Sequence, residues 1–116
     1  MDEKYYGVVS EELLASALER PKMAVRYEEA DPIRQAAHLL WGIIRNHPFR
    51  QGNKRTGVAL AFAFLFRNGI KVVAEQEDVV ELGLGVAEKR LEVAQVEIWL
   101  RKHTQPFSDK SNVVGT

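Results

Sequence analysis

The sequence predicts a small all-α protein, built as a single-domain helical bundle around one central buried helix. Its 116 residues leave room for one domain and one hydrophobic core. With 46% hydrophobic and 28% charged residues, the composition is typical of a globular protein. Apolar residues recur at helical spacing through most of the chain, and only two segments, 22–29 and 70–74, fit a brief strand or a hairpin better.

The first helix is expected to begin at Ser10, whose hydroxyl can accept a hydrogen bond from the first turn. Two glutamates follow, and negative charge favours the start of a helix. Because proline lacks the backbone N–H that continues a helix, we expect Pro21 to end this one. Residues 22–29 have no helical period and alternate loosely, which predicts a short extended loop or hairpin.

The second and third helices carry the clearest signals. Asp31 followed by Pro32 is typical of a helix start, and the apolar face that follows runs to Asn46. Another helix is predicted over 53–68, and Gly69 suits its left-handed end. The middle of that helix is apolar on every side, so we expect it at the centre of the core.

The C-terminal half is predicted to form two more helices, over 77–89 and 91–103. Gly83 and Gly85 weaken the first of these helices, since each internal glycine costs a helix up to about 1 kcal/mol.

The segments around these helices are short. Residues 70–74 are too few and too β-branched for a helix, and they predict one brief strand. From Gln105 onward the composition is polar without a period, which predicts a flexible tail. A domain over 1–104 and a tail over 105–116 account for the chain, and no internal repeat divides it.

Charge and composition exclude several classes of function. Sixteen basic and sixteen acidic residues cancel, so no overall field favours nucleic acid or a membrane as the main partner. Without cysteine, the chain can form neither disulfides nor zinc–thiolate sites. The N-terminus has no signal-peptide pattern, and the longest apolar run, 58–66, is less than half a membrane span. We therefore expect a soluble cytoplasmic protein.

The segment that carries chemistry is HPFRQGNKRTG, residues 47–57, between the second and third helices. Gly52 permits a close backbone approach, and the N–H groups at the start of the next helix would point at a bound anion. Lys54 and Arg55 add two cations where a phosphate would sit. His47 precedes them, and histidine can accept a proton near neutral pH. A phosphate site facing a general base indicates phosphoryl or nucleotidyl transfer.

Each of these residues also has an ordinary structural interpretation. A histidine before a proline is more often structural or exposed than catalytic, and Gly-Asn beside basic residues is usually a solvated turn. Phe49 fits a core anchor for the loop better than a base-stacking group. The combination of histidine, glycine, asparagine and two cations within nine residues favours a functional site over these alternatives.

The segment HPFRQGNKR resembles the signature of the Fic/Doc family. That signature reads His-Pro-Phe, two variable residues with an acid at the second, then Gly-Asn, a glycine or lysine, and arginine. The flanking segments GVVSEELLASALERP and AAHLLWGIIRN resemble the death-on-curing (Doc) branch. The resemblance covers residues 7–103, and it implies a helical fold and an enzyme that modifies a hydroxyl group of a target protein.

The resemblance implies a role for each residue of the motif. His47 corresponds to the catalytic base that takes the proton from a serine, threonine or tyrosine of the target. Phe49 corresponds to the buried aromatic residue that holds the loop. The residues that correspond to the turn binding the nucleotide phosphates are Gly52, Asn53, Lys54 and Arg55.

Lys54 corresponds to the Doc-type form of the signature, since Fic enzymes carry glycine there. Doc-like members bind ATP in the reverse sense and phosphorylate their target, while Fic members transfer AMP. A long cationic side chain occupies space that glycine leaves open for the α-phosphate. The second arginine of Fic enzymes corresponds to Val58, which again favours a Doc-like toxin that transfers phosphate from ATP. AMP transfer remains the nearest alternative.

One position departs from the signature. The acid that holds the metal corresponds to Gln51, and a neutral amide oxygen is a poorer ligand for Mg²⁺ than a carboxylate. Three outcomes stay open. Transfer is slow, or Mg²⁺ is held by the nucleotide and water alone, or the domain is degenerate and binds nucleotide or a partner without turnover.

The family also implies contacts with other chains. Segment 22–29 corresponds to a flap that docks the target, which makes Lys22, Arg26 and Tyr27 candidate docking residues, with a plain surface loop as the alternative. The self-inhibitory pattern of many members, in which glutamate follows a serine or threonine by four residues, is absent from the sequence. If the enzyme is active, restraint is therefore expected from a separate antitoxin. The alternative is that no restraint is needed, because Gln51 has already weakened the enzyme. The N-terminus is short for a Doc-like protein, which leaves open whether a leading helix is missing or supplied by another chain.

Overall fold

The structure of the chain, a computed structural model, describes residues 10–28, 30–47 and 51–107. These residues fold into five helices and one two-stranded antiparallel sheet, which confirms the predicted all-α class. Among the described helices, none has the length and apolar character needed to cross a membrane. In chain order the elements are α1 (Glu11–Glu28), α2 (Pro32–Asn46), α3 (Asn53–Arg67), β1 (Ile70–Val72), α4 (Gln76–Ala87), α5 (Val93–Lys102) and β2 (Thr104–Pro106).

The centre of the fold is α2, which packs against all four other helices. A central buried helix was predicted, but over 53–68, and that placement is wrong. Helix α3 packs mainly on α2, α4 and β1, and it leaves Phe66 58% exposed. An apolar sequence allows a large part of a helix surface to be buried. The part that is actually buried depends on how many other elements pack against the helix. The residues that α2 buries are Ala36, Ala37, Leu39, Leu40, Gly42, Ile43 and Ile44.

The ends of α2 follow the local signals in the sequence. The Asp31 carboxylate accepts a hydrogen bond from the backbone N–H of Arg34 at 3.0 Å, and Pro32 occupies the first turn. At the other end, His47 adopts a left-handed backbone with φ of 50°, and its N–H donates to the Ile43 carbonyl at 3.2 Å. The helix therefore stops at the first residue of the predicted motif.

Helix α1 begins as predicted, because the Ser10 hydroxyl accepts a hydrogen bond from the Leu13 N–H at 3.1 Å. The prediction that Pro21 ends this helix is wrong, and so is the loop or hairpin predicted over 22–29. The helix continues through the proline to Glu28. Local sequence correctly marked the start of α1 but not its length.

Packing against α2 explains why α1 continues. Ala17 and Ala24, two turns apart on one face, are buried on either side of the proline. A β-carbon placed on Gly42 would lie 3.3 Å from the Ala17 Cα, so the two helices approach closely there. The buried face outweighs the one backbone hydrogen bond that the proline removes.

The two strands pair with Val72 opposite Thr104 and Ile70 opposite Pro106. The brief strand predicted over 70–74 is confirmed. Gln105 and Pro106 were assigned to the tail, but they belong to the partner strand of β1. Directly after the strand, the Phe107 ring stacks on the Phe66 ring of α3, with ring centroids 4.7 Å apart, and this contact reinforces the pairing. Residues 108–116, the rest of the predicted tail, lie outside the described residues.

The two helices predicted in the C-terminal half are confirmed as α4 and α5. Helix α5 begins with a capping box, in which the Gln95 side-chain oxygen accepts a hydrogen bond from the Glu92 N–H at 2.7 Å. Gly85 has a packing role at the end of α4, because a β-carbon there would lie 2.6 Å from the Leu91 Cδ1. The chain can therefore turn closely from α4 into α5.

Candidate active site

The motif connects the C-terminus of α2 to the N-terminus of α3. His47 ends α2, and Gly52 precedes α3 with φ of 80°, a left-handed conformation that glycine adopts without strain. Residues 48–50 lie outside the described residues, and the Phe49 anchor predicted for the loop is among them. The predicted base and the predicted phosphate-binding residues therefore stand at successive helix ends.

The N-terminus of α3 has the geometry of an anion site. The first hydrogen bond of the helix runs from the Thr56 N–H to the Gly52 carbonyl at 2.8 Å. The N–H groups of residues 54 and 55 come before that bond, so the helix backbone offers them no acceptor of its own. Gly52 has no side chain to cap them, and the first turn contains no acid. The positive end of the helix dipole is thus uncompensated by α3 itself.

Two cationic side chains extend this positive end. Lys54 and Arg55 are exposed in the first turn, on the wall of a cavity of about 600 Å³ between α3 and α4. We call this cavity the α3–α4 groove. Its residues from α3 are Gly52, Lys54, Arg55, Val58 and Ala59, and those from α4 are Gln76, Val79, Val80, Gly83 and Leu84.

The two walls of the α3–α4 groove differ in charge and polarity. The cations and the helix start lie on the α3 side, and most of the remaining wall is aliphatic. Its volume falls within the range of small-molecule sites, which combine an apolar lining with a few polar groups. The groove therefore suits a ligand with one anionic part and one flat or apolar part.

The groove brings together only part of the predicted site. Gly52, Lys54 and Arg55 line it, and Asn53 is half-buried in the same turn. Gln51 is exposed just before the glycine. His47 is exposed at the end of α2 and does not belong to the described wall of the groove.

The part of the site that the structure describes contains no cluster of acids around a metal position. Over the described ranges, no group of three or more histidine, aspartate or glutamate side chains could hold a metal ion. Gln51 stands where the signature has an acid, and its neutral amide lacks the negative charge that Mg²⁺ favours in a ligand.

The candidate docking residues lie on a helix instead of a flap. Lys22 and Arg26 are exposed on α1, and the side chain of Tyr27 lies outside the described set. The Asn46 side-chain amide donates to the Leu13 carbonyl at 2.9 Å, so the start of α1 lies beside the end of α2. At 1.5 Å per residue, the lysine lies about 14 Å further along α1. The structure therefore does not bring these residues next to the histidine.

A second cavity, of about 410 Å³, lies between α1 and α2. His38 lines it, with Nδ1 3.4 Å from a guanidinium nitrogen of Arg20. That guanidinium also lies over the Trp41 ring, 4.4 Å from its centroid. These contacts make His38 a half-buried packing residue of α2, and the cavity shares no residue with the α3–α4 groove.

The contribution of α4 to the groove was not predicted from the sequence. Val79, Val80 and Leu84 read as ordinary helix residues, and the glycine doublet read only as a weakness. Gly83 was the available signal, because a glycine inside a helical pattern often has a packing or functional reason. In the structure its neighbours are the stem of Lys54 and the Val58 side chain, at ordinary contact distance from the place of a β-carbon.

Comparison with known proteins agrees with the motif. A profile described as the Fic/DOC family matches residues 2–65. A protein named Toxin Doc from Mycolicibacterium smegmatis (strain ATCC 700084 / mc(2)155) is 42% identical over 65 residues, which cover 54% of this chain and 50% of that protein. A protein named Protein kinase doc from Escherichia phage P1 is 34% identical over 84 residues, or 72% of this chain and 66% of that protein. The chain thus spans half of the first relative and just under two thirds of the second.

Proposed function

Because this chain belongs to the Fic/DOC family, we propose that it is a Doc-like toxin that transfers the γ-phosphate of ATP to a hydroxyl group of a target protein. The observation that carries the proposal is the N-terminus of α3, where Lys54 and Arg55 line the otherwise largely apolar α3–α4 groove. One relative is named a protein kinase, which supports phosphate transfer over other chemistry in this family.

The donor fits the groove in two parts. The triphosphate would lie at the start of α3, where backbone N–H groups and two cations offset its charge. The nucleoside would lie along the aliphatic wall that Val79, Val80 and Leu84 provide. A fixed set of donors of this kind stabilises the charge of a transferring phosphoryl group without reorganising water.

His47 would act on the acceptor. Its imidazole takes the proton of a serine, threonine or tyrosine hydroxyl, and the oxygen forms a bond to the γ-phosphorus. The bond from that phosphorus to the bridging oxygen breaks, ADP leaves, and the proton stays on the histidine until solvent removes it. The exposed position of His47 at the end of α2 suits a base that must meet a bulky protein substrate.

Transfer of AMP is the alternative within the same chemistry. Against it stands Lys54, which puts a long side chain where Fic enzymes keep glycine. Val58, at the position of their second arginine, lies in the wall of the groove and adds no charge. Both positions favour attack at the terminal phosphate.

A degenerate domain is the alternative outside catalysis, and Gln51 motivates it. The described residues supply no acid for Mg²⁺ at the start of α3. In the proposed enzyme the metal would therefore be held by the nucleotide and water, and the protein's own contribution would be the cations and the helix end. A separate antitoxin is the proposed partner, in keeping with the Doc relative named a toxin.

The proposal is tested with ATP labelled at either phosphate. The purified chain is incubated with Mg²⁺ and cell lysate, with γ-labelled ATP in one tube and α-labelled ATP in another. We expect protein labelling above the lysate background from the γ label alone. Labelling from the α label alone would establish AMP transfer instead, and no labelling from either would favour the degenerate domain.

A further inference from the structure

We propose that Gly83 is a positioning residue for Lys54. The gap that this glycine leaves on α4 seats the stem of the lysine, and the seat fixes where the ammonium group meets a phosphate. The inference deepens the proposed function and rests on it, because it concerns the same anion site.

The distances at Gly83 define the seat. A β-carbon placed on Gly83 would lie 3.6 Å from Lys54 Cβ and 4.0 Å from Lys54 Cδ. The third near atom, at 3.9 Å, is Val58 Cγ2. Two atoms at different points of the lysine stem are therefore close to the same spot on α4. The stem lies across the glycine and does not project straight into solvent.

Lysine is suited to this arrangement because its stem is apolar and its head is charged. Lys54 as a whole is exposed, while Gly83 beneath it is buried. In this proposal the position beside α4 restrains the stem, while the residue as a whole stays exposed. Restraint in advance lowers the ordering cost of binding an anion, which is the general benefit of a preorganised side chain.

The backbone gives no other reason for glycine at this position. Gly83 lies inside α4, where glycine weakens a helix, and it is not among the residues with positive φ. Gly85 differs, because a β-carbon there would collide with Leu91. At Gly83 a β-carbon would make ordinary contact, but a longer side chain would occupy the place of the lysine stem. The lysine stem therefore needs a small residue at this position, no larger than alanine.

A double-mutant cycle on anion binding tests whether Gly83 acts through Lys54. The probe is inorganic tripolyphosphate, which has no nucleoside and so does not depend on the open volume of the groove. We expect Gly83→Leu to weaken binding about tenfold and Lys54→Ala by at least as much. The double variant should bind no more weakly than Lys54→Ala alone, because residues in contact give strongly non-additive effects.

Two control variants separate displacement of the lysine from added bulk. Gly83→Ala should change binding by less than about twofold, since its β-carbon fits at ordinary contact distance. Ala63→Leu adds the larger side chain on the exposed side of α3, outside the groove, and should leave binding unchanged. Thermal unfolding of each variant identifies any that does not fold.

A measurement on the unsubstituted chain covers the case in which Gly83→Leu does not fold. Side-chain relaxation by NMR should show that the stem of Lys54 is more restricted than that of Lys102, which is exposed on α5. Equal mobility of the two stems would overturn the inference.

The outcomes of the cycle distinguish the two proposals. If the unsubstituted chain does not bind tripolyphosphate, the anion site itself fails, and both the proposed function and the role of Gly83 fall. If the chain binds it, but Gly83→Leu weakens binding equally with and without Lys54, only the positioning role is wrong.

Discussion

Gly57 of α3 lies so close to Ile44 of α2 that a β-carbon on the glycine would be 3.0 Å from the Ile44 Cγ1 and 3.2 Å from the Leu40 carbonyl oxygen. This contact comes in the second turn of α3, immediately after the cations of the first turn. It holds the start of α3 against the last turns of α2. The spacing between Arg55 and His47 therefore depends on a close approach that a larger residue at position 57 would disturb.

The first prediction concerns this contact. Gly57→Val should lower the free energy of unfolding by about 1–3 kcal/mol, because the added atoms overpack a helix interface. It should also lower the rate of phosphate transfer, since α3 must move away from α2. Urea denaturation and the labelling rate measure the two effects. Ala63→Val is the matched control on the exposed side of α3, and equal urea midpoints for the two variants would contradict the close approach.

Local signals in the sequence predicted the positions of most helices. Ser10 and Asp31 cap their helices as expected, and Gly69 has the expected left-handed φ of 79° after α3. These features depend on a few neighbouring residues, so a sequence contains them. The same holds for the motif, whose glycine and cations stand where a helix begins.

Features that depend on tertiary packing were not predictable in the same way. Pro21 ends a helix by its local chemistry, but alanines two turns apart on the face towards α2 keep α1 intact. Nothing local to Gln105 indicates that it pairs with Lys71, 34 residues earlier in the chain. The wall that α4 gives to the groove likewise depends on how two helices pack. The glycines inside the helices, Gly42, Gly57, Gly83 and Gly85, were the one sign of these helix contacts that the sequence contains.

The second prediction concerns acid stability. The Arg101 guanidinium lies 3.0 Å from the Asp31 carboxylate and 2.7 Å from the Glu97 carboxylate, and it joins α5 to the start of α2. Burial acts to raise the pKa of both carboxyls, but hydrogen bonds from Arg101, Arg34 and the helix N–H groups outweigh it. The pKa of Asp31 is thereby lowered from 3.8 and that of Glu97 from 4.5.

Groups with a lowered pKa in the folded state stabilise it above their ordinary pKa and lose that effect as pH falls through the folded value. The free energy of unfolding should therefore be steady above about pH 5 and drop below it, with these groups contributing about 1 kcal/mol at their partly exposed positions. Arg101→Met should flatten this drop in urea titrations at several pH values. Lys102→Met, the exposed neighbour, should not, and equal acid slopes for the two variants would contradict the assignment.

The third prediction concerns Gln51. Gln51→Asp restores a carboxylate at the exposed position before Gly52, and the added charge should help to hold Mg²⁺ beside the phosphates. The Mg²⁺-dependent transfer rate should rise about tenfold, equivalent to about 1.4 kcal/mol of barrier. Gln51→Asn is the neutral control. An Asp variant that is no faster than the Asn variant at any Mg²⁺ concentration would show that this position does not limit the enzyme.

The central claim is that His47 removes the proton of the target hydroxyl while α3 holds the phosphates of ATP. The most direct measurement compares the rate of γ-phosphate transfer by the parent chain, His47→Ala and His103→Ala. His103 is the matched control, since it stacks on Trp99 at the end of α5 with ring centroids 4.0 Å apart. The account predicts a loss of about 100-fold to 10,000-fold for His47→Ala, the usual contribution of a general base, and near-parental transfer by His103→Ala. A His47→Ala protein that labels its target as fast as the parent would contradict it.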